Sequence, residues 1–227
     1  MMDRSREPII TIDGPAGAGK STVARLLATR LGYRLLDTGG MYRALAWSVA
    51  RAGIDPDDAP ALARHLATVT VSVEDDRVFV NGRDVSDEIR SPEIGALTSR
   101  ITALAPVRDK VTPLQRRLAS GGGVVLEGRD TGTVVCPDAE IKFFLDASIE
   151  TRAWRRQTEL AAAGRTMPLE AVRDEIRVRD AQDRTRALAP LRKAEDAIEL
   201  DTSERTPDEV VASMLDVVER HRCCTRS

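Results

Sequence analysis

Apolar residues follow two rhythms along this chain. A short apolar run over residues 8–13 breaks off at a glycine-rich turn, and over 22–31 the apolar positions Val23, Leu26, Leu27 and Leu31 fall at helical spacing. Strand, loop and helix are therefore expected in that order. The alternation returns downstream: residues 33–36 predict a strand before a helix over 41–52, 124–126 and 141–145 predict buried strands, 198–200 a fifth strand, and 207–221 an amphipathic helix. Strands that alternate with helices predict an α/β fold, a parallel sheet covered on both faces.

Two segments leave this rhythm. Over residues 69–85, Val71, Val73, Val78 and Val80 stand on either side of charged residues, and Asn81-Gly82 is a strong hairpin-turn signal, so a small antiparallel insertion is expected within about residues 60–100. Residues 150–186 form an arginine-rich, mostly helical excursion between the fourth and fifth strands. The expected partition is one domain, with its core in about 1–59, 101–150 and 187–227, and the two excursions are candidates for moving parts. There is no internal repeat, and Gly121 to Gly123 is a turn before a buried strand.

A length of 227 residues suits one domain carrying an insertion, and 42% hydrophobic with 31% charged residues suits a globule with a core. A net charge of −2 supplies no basic field to recruit nucleic acid. No stretch approaches the ~18 apolar residues of a membrane span, and the opening MMDRSREPII lacks the apolar core of an export signal. A cytoplasmic monomer acting on small molecules is the expectation. Cys136, Cys223 and Cys224 match neither a disulfide framework nor metal-ligand spacing, so reduced, unligated thiols are expected. Only four of the 34 basic residues are lysine; the arginine excess suits phosphate, although most surface arginines merely solubilise.

The segment Gly14-Pro15-Ala16-Gly17-Ala18-Gly19-Lys20-Ser21, followed by Thr22, fits G-x-x-x-x-G-K-[ST] in full, after a predicted strand and before a predicted helix. Its glycines let backbone N–H groups converge on phosphate oxygens at a helix N-terminus. Lys20 is expected to reach the β and γ phosphates of a bound nucleotide, and the Ser21 hydroxyl to ligate Mg²⁺. The motif leaves the reaction open among switches, transport ATPases and small-molecule kinases. None of the four lysines is followed two positions later by Asp, which excludes the N/T-K-x-D guanine signature, and no L-S-G-G segment is present. A kinase of a small acceptor remains.

With the phosphate loop in place, several further blocks stand in order: LLDTGGMYR at 35–43, NGRDVSDEIRSPEI at 81–94, EGRDTGTVVCPDAEIKFFLDAS at 127–148 and RDAQDRTRALAPL at 179–191. Together with IDGPAGAGKST at 12–22 they make the chain resemble the bacterial cytidylate kinases nearly end to end. Cys136, where that family would have Phe, and the tail after Arg220 depart from it. The resemblance implies a five-stranded parallel core, a monophosphate-binding insertion and an arginine-bearing lid, with ATP as donor, Mg²⁺ as cofactor and CMP or dCMP as acceptor. It also implies Thr38, Arg108 and Asp130 at the cytosine, Ser99, Arg179 and Asp183 at the ribose, and Arg43, Arg129 and Arg186 at the monophosphate, with Lys20, Arg129 and Arg186 in the catalytic work.

Chemistry gives these assignments independent reasons. A carboxylate can accept from the cytosine N4 amino group, as Asp130 would, while Arg108 could donate to N3 and O2. Asp130 could instead pair with Arg129 at the surface, and Arg108 with Asp109. Arg179, Asp183 and Arg186 share a helix face and Arg184 turns away, yet the same helix also reads as a solvated one laced with ion pairs such as Asp180 with Arg184. Arg43 and Arg129 follow strand carboxyl ends, where open parallel sheets bind ligands. Asp13 and Asp37 could hold Mg²⁺ through water or cap local backbone, with structural roles favoured. Either Arg155 or Arg156 could meet the adenine or the transferring group. A monophosphate with second pKa ~6 is its own nucleophile, so no protein base is required, and His65 and His221 are read as surface residues. A UMP, AMP or shikimate kinase, or an ATP-regulated binding protein, are the alternatives.

Overall fold

Residue by residue, the first strand explains the rest of the sheet. In a computed structural model that describes residues 6–74, 77–162 and 164–225, β1 (Ile9–Asp13) is buried at every position. Strands β2 (Arg34–Asp37), β6 (Val124–Gly128), β7 (Ile141–Asp146) and β8 (Ile198–Asp201) join it in the order β2-β6-β1-β7-β8, all parallel. Ile10 faces Val125 on one side and Ile141 on the other, so β1 has no solvent edge and reads as a continuous apolar run. The fold is the α/β class expected, and each of the five strands anticipated from the sequence is present.

Helices cover both faces. On one, α1 (Lys20–Leu31) and α8 (Pro207–Thr225) bring Val23, Leu27, Val211 and Met214 onto Ile10, Ile12, Phe143 and Leu145. On the other, α2 (Thr38–Arg51) and α5 (Ala105–Ala119) bring Met41, Leu45, Val107 and Val111 onto Leu36 and Leu126. Asp37 starts α2 by accepting from the Gly40 N–H at 2.8 Å. Between α2 and α5 lie α3 (Ala59–Thr68), a separate antiparallel sheet of β3 (Val71–Glu74), β4 (Arg77–Val80) and β5 (Arg83–Asp84), a 3₁₀ turn at Glu88–Arg90, and α4 (Pro92–Ile101). Asn81 and Gly82 join β4 to β5 with φ of 49° and 78°, the mirror-image geometry that tight hairpins favour. Val71, Val78 and Val80 belong to the same apolar cluster as α2.

Beyond β7, α6 (Ile149–Ala162) and α7 (Leu169–Thr185) pack on each other through a small cluster of Ala153, Leu160, Val172 and Ile176. Among the described residues no helix is long and apolar enough to cross a membrane. Cys136 is buried, and Cys223 and Cys224 are exposed.

Gly14, which follows β1, has φ of +150°, and a Cβ there would lie 2.0 Å from the carbonyl oxygen of Leu145. Gly14→Ala must therefore push β1 away from the end of β7 while adopting a disfavoured backbone. A fall of the thermal midpoint of about 5 to 10 °C is expected in a calorimetric scan.

Candidate functional site

The P-loop leaves β1 and enters α1 through Gly19, whose φ of 84° lets the chain turn directly into the helix. Lys20, the first residue of α1, is buried, and its Nζ donates to the Pro15 carbonyl at 2.7 Å across the loop. Burial, and next the nearby charge of Arg129, hold its pKa down to about 7. Ser21 donates through Oγ to Glu127 Oε1 at 2.7 Å. Glu127, at the carboxyl end of β6, has its pKa raised by burial and then by Asp37.

These groups line one cleft of about 330 Å³. Into it also turn Arg43 from α2, Arg129, Arg156 from α6 and Arg179 from α7. Arg179 has its pKa lowered to about 10 by burial and then by Arg129, and its Nε has no partner among the described residues. Its lining carries six cationic side chains, Lys20, Arg43, Arg90, Arg129, Arg156 and Arg179, against four carboxylates, Asp37, Glu127, Glu159 and Glu175, and that excess of positive charge suits a polyanionic ligand. Arg90 lines it too, a residue the sequence reading did not single out.

A second set of the expected residues is joined by ion pairs. Arg108, lying 5.7 Å above the Tyr42 ring, pairs with Asp130, and both are buried. Arg186 Nη2 stands 3.2 Å from the other oxygen of Asp130 and its Nη1 3.7 Å from Asp183, while Arg129 Nε donates to Asp183 at 2.9 Å. Asp130 thus pairs with Arg108 and Arg186, not with its neighbour Arg129, and Arg108 does not turn to Asp109. Thr38 donates to the Glu127 carbonyl at 2.6 Å, and Ser99 bonds back to the Gly95 carbonyl at 3.3 Å within α4. Thr38 of α2, Arg108 of α5, and Asp183 and Arg186 at the end of α7 therefore converge around the end of β6, whereas Ser99 bonds within its own helix.

Asp13 and Asp37 serve the backbone. Asp37 caps α2, and Asp13 accepts from Thr131 N at 2.9 Å, Thr131 Oγ1 at 2.8 Å and Gly132 N at 2.8 Å, organising the π turn at Thr131–Val135 that follows β6. Arg155 and Arg156 separate. Arg156 faces the phosphate cleft, whereas Arg155 donates to Thr202 Oγ1 and carbonyl at 3.0 and 2.5 Å beside a second pocket of about 280 Å³, bounded by Gly19, Thr22, Trp154 and Arg205. His65 meets Ser48 Oγ at 2.8 Å between α3 and α2.

Besides Arg90, three functional candidates escaped the sequence reading. Glu127 carried a signal, its position at a strand carboxyl end beside Arg129, but no role was attached to it. Arg152 and Asp180 form a buried pair, so Asp180 is not engaged with the exposed Arg184. Nothing local marks that contact, because the partners are 28 residues apart and on different helices.

A phosphate loop at the carboxyl end of the central strand of a five-stranded parallel sheet, facing an arginine-lined cleft, defines a P-loop kinase. The family described as cytidylate kinase matches residues 10–220. Over 215 residues the chain is 50% identical to a cytidylate kinase of Geobacter sp. (strain M21), covering 93% of this chain and 92% of that one. It is 49% identical over 219 residues to one of Mycobacterium avium (strain 104), covering 94% and 96%. An uncharacterised protein of Eubacterium ventriosum shares the fold, with a TM-score of 0.52 at 12% identity over 94% of this chain and 99% of that one. The chain belongs to the cytidylate kinase family.

Proposed function

We propose that the protein transfers the γ-phosphoryl group of ATP to CMP or dCMP, giving ADP and CDP or dCDP, as a cytoplasmic monomer working on free nucleotides. The observation that carries this reading is Asp130: a buried carboxylate, steadied by Arg108 and Arg186 at the end of β6, of the kind that accepts from the cytosine amino group. Arg108 completes base recognition with Thr38, Ser99, Arg179 and Asp183 hold the ribose, and Arg43, Arg129 and Arg186 hold the acceptor phosphate.

On the donor side, residues 14–22 cradle the ATP phosphates, with Arg155 beside the adenine and Arg156 at the transferring group. The residues suit Mg²⁺. The Ser21 hydroxyl, with Glu127 and Asp37 close by, offers hard oxygen donors, and a divalent cation would bring down the Glu127 pKa that burial, and then Asp37, raise. Among the described residues no cluster of three or more His, Cys, Asp or Glu side chains could hold a metal unaided, which agrees with an ion carried in largely by phosphate. When bound, Mg²⁺ neutralises phosphate charge. The chain's own contribution is to align two polyanions in line, with Lys20, Arg129 and Arg186 stabilising charge as the phosphoryl passes. Residues 60–100 form the acceptor-binding insertion and 150–186 a lid that excludes water on closure.

The test is a coupled ADP-release assay over CMP, dCMP, UMP, AMP, GMP and shikimate. CMP and dCMP should lead, and chelation of divalent cations should abolish turnover. Comparable or faster turnover of AMP or GMP would overturn the cytidylate reading; tight ATP binding with negligible transfer to any acceptor would favour a binding protein.

A further inference from the structure

Arg152 on α6 is buried, as is Asp180 on α7, and the two are paired at 2.5 Å. A pair serving only to hold the two helices together would have no need of the P-loop, yet both partners reach it, and at the same residue. Arg152 Nη1 donates to the Ala16 carbonyl at 3.1 Å, and Asp180 Oδ1 accepts from the Ala16 N–H at 3.4 Å. Arg152 Nε is held in turn by the Ala147 carbonyl at 3.0 Å, just after β7. Contact is close enough that a Cβ on Gly17 would lie 3.0 Å from the Arg152 Cβ.

Because a trans peptide is planar, fixing the Ala16 carbonyl fixes the Gly17 N–H, which points the opposite way. With that carbonyl turned to Arg152, the Gly17 N–H is turned away from it, and Gly17 lines the phosphate cleft. The Ala16 N–H, taken up by Asp180, is withdrawn from phosphate binding. We propose that Arg152 and Asp180 are positioning residues that set the crest of the P-loop, selecting which amides are presented to the donor phosphates and tying that selection to the lid helices. Neither contacts substrate in this role. Energetically the pair makes little sense as a staple, since well-packed apolar residues would hold α6 to α7 as firmly without the desolvation of two charges.

The inference rests on ATP as the donor held by this loop, and wild-type ADP binding and ATP–CMP turnover test that reading separately. The decisive variant is Arg152→Met with Asp180→Leu, which avoids stranding a lone buried charge, compared with Arg152→Lys, which keeps the charge for Asp180 but loses the forked reach to Ala16. Calorimetric titration with ADP and full kinetics should give weaker ADP binding and a kcat/KM for ATP lower by on the order of 10²-fold in both, with the KM for CMP within about twofold of wild type. Single and double changes should be strongly non-additive, since both act through Ala16. Wild-type kcat/KM for ATP in the folded double variant, or equal losses toward ATP and CMP, would overturn the proposal. So would failure of the double variant to fold, which would mark the pair as structural.

Discussion

Lys20→Ala is expected to lower kcat by about 10²- to 10³-fold while CMP binding stays near that of wild type. The ammonium is buried against the Pro15 carbonyl, and burial with the charge of Arg129 holds its pKa down to about 7. An anionic phosphate reverses that balance, and its pull is greatest as charge shifts between donor and acceptor oxygens. Removing the side chain therefore costs most at the transition state and little at the acceptor pocket. Rapid-quench measurement of kcat together with CMP titration separates the two. A kcat within about threefold of wild type, well under 1 kcal/mol of barrier, would show that Lys20 does not carry this charge.

Asp130→Ala is expected to reduce kcat/KM for CMP by about 10- to 150-fold, the worth of roughly 1.5 to 3 kcal/mol for a hydrogen bond to a charged group, with UMP losing much less or gaining. Uracil presents an oxygen where cytosine has its amino group, so the carboxylate opposes it. The ion pairs add a second consequence. Without Asp130, Arg108 is left buried without its carboxylate and Arg186 keeps the more distant Asp183 and the Ala189 carbonyl, and loss of one partner of a buried pair costs about 3 to 5 kcal/mol. A lower thermal midpoint should accompany the selectivity change, and Asp130→Asn, which retains the shape, should separate the two effects. Arg129→Ala, at a residue assigned to the common phosphate, should depress CMP and UMP about equally. A folded Asp130→Ala protein that loses both acceptors in the same proportion would mean that this carboxylate organises the site without reading the base.

The backbone plan was legible where local rules suffice. Five apolar runs, the P-loop signature and Asn81-Gly82 each prescribe geometry within a few residues, and each appears where its spacing indicated. The π turn at Thr131–Val135 was not legible, because it depends on Asp13 capturing two N–H groups from a segment 118 residues away. The same limit applied to side chains. Position after a strand marked Arg43 and Arg129 as facing a ligand edge, but whether Asp130 faced Arg108, Arg129 or Arg186 depended on how α5 and the end of α7 dock against β6. Asp180 was the sharpest case: helical spacing offered Arg184 as a partner, whereas burial against α6 selected Arg152.

The apolar clusters divide the two excursions into different kinds of structure. The hairpin sheet shares its core with α2 through Val71, Val78 and Val80, so it cannot come apart without exposing residues such as Met41 and Leu45 that the main sheet also needs. The pair α6 and α7 has its own small core of four buried residues. In the language of cooperativity, the insertion is expected to unfold together with the sheet whose apolar cluster it shares. The helical pair, joined to the sheet by polar contacts such as Arg129 with Asp183 and Arg152 with the Ala16 carbonyl, is the part expected to open locally at a fraction of the global cost, which hydrogen exchange would register as weaker protection there than in the sheet.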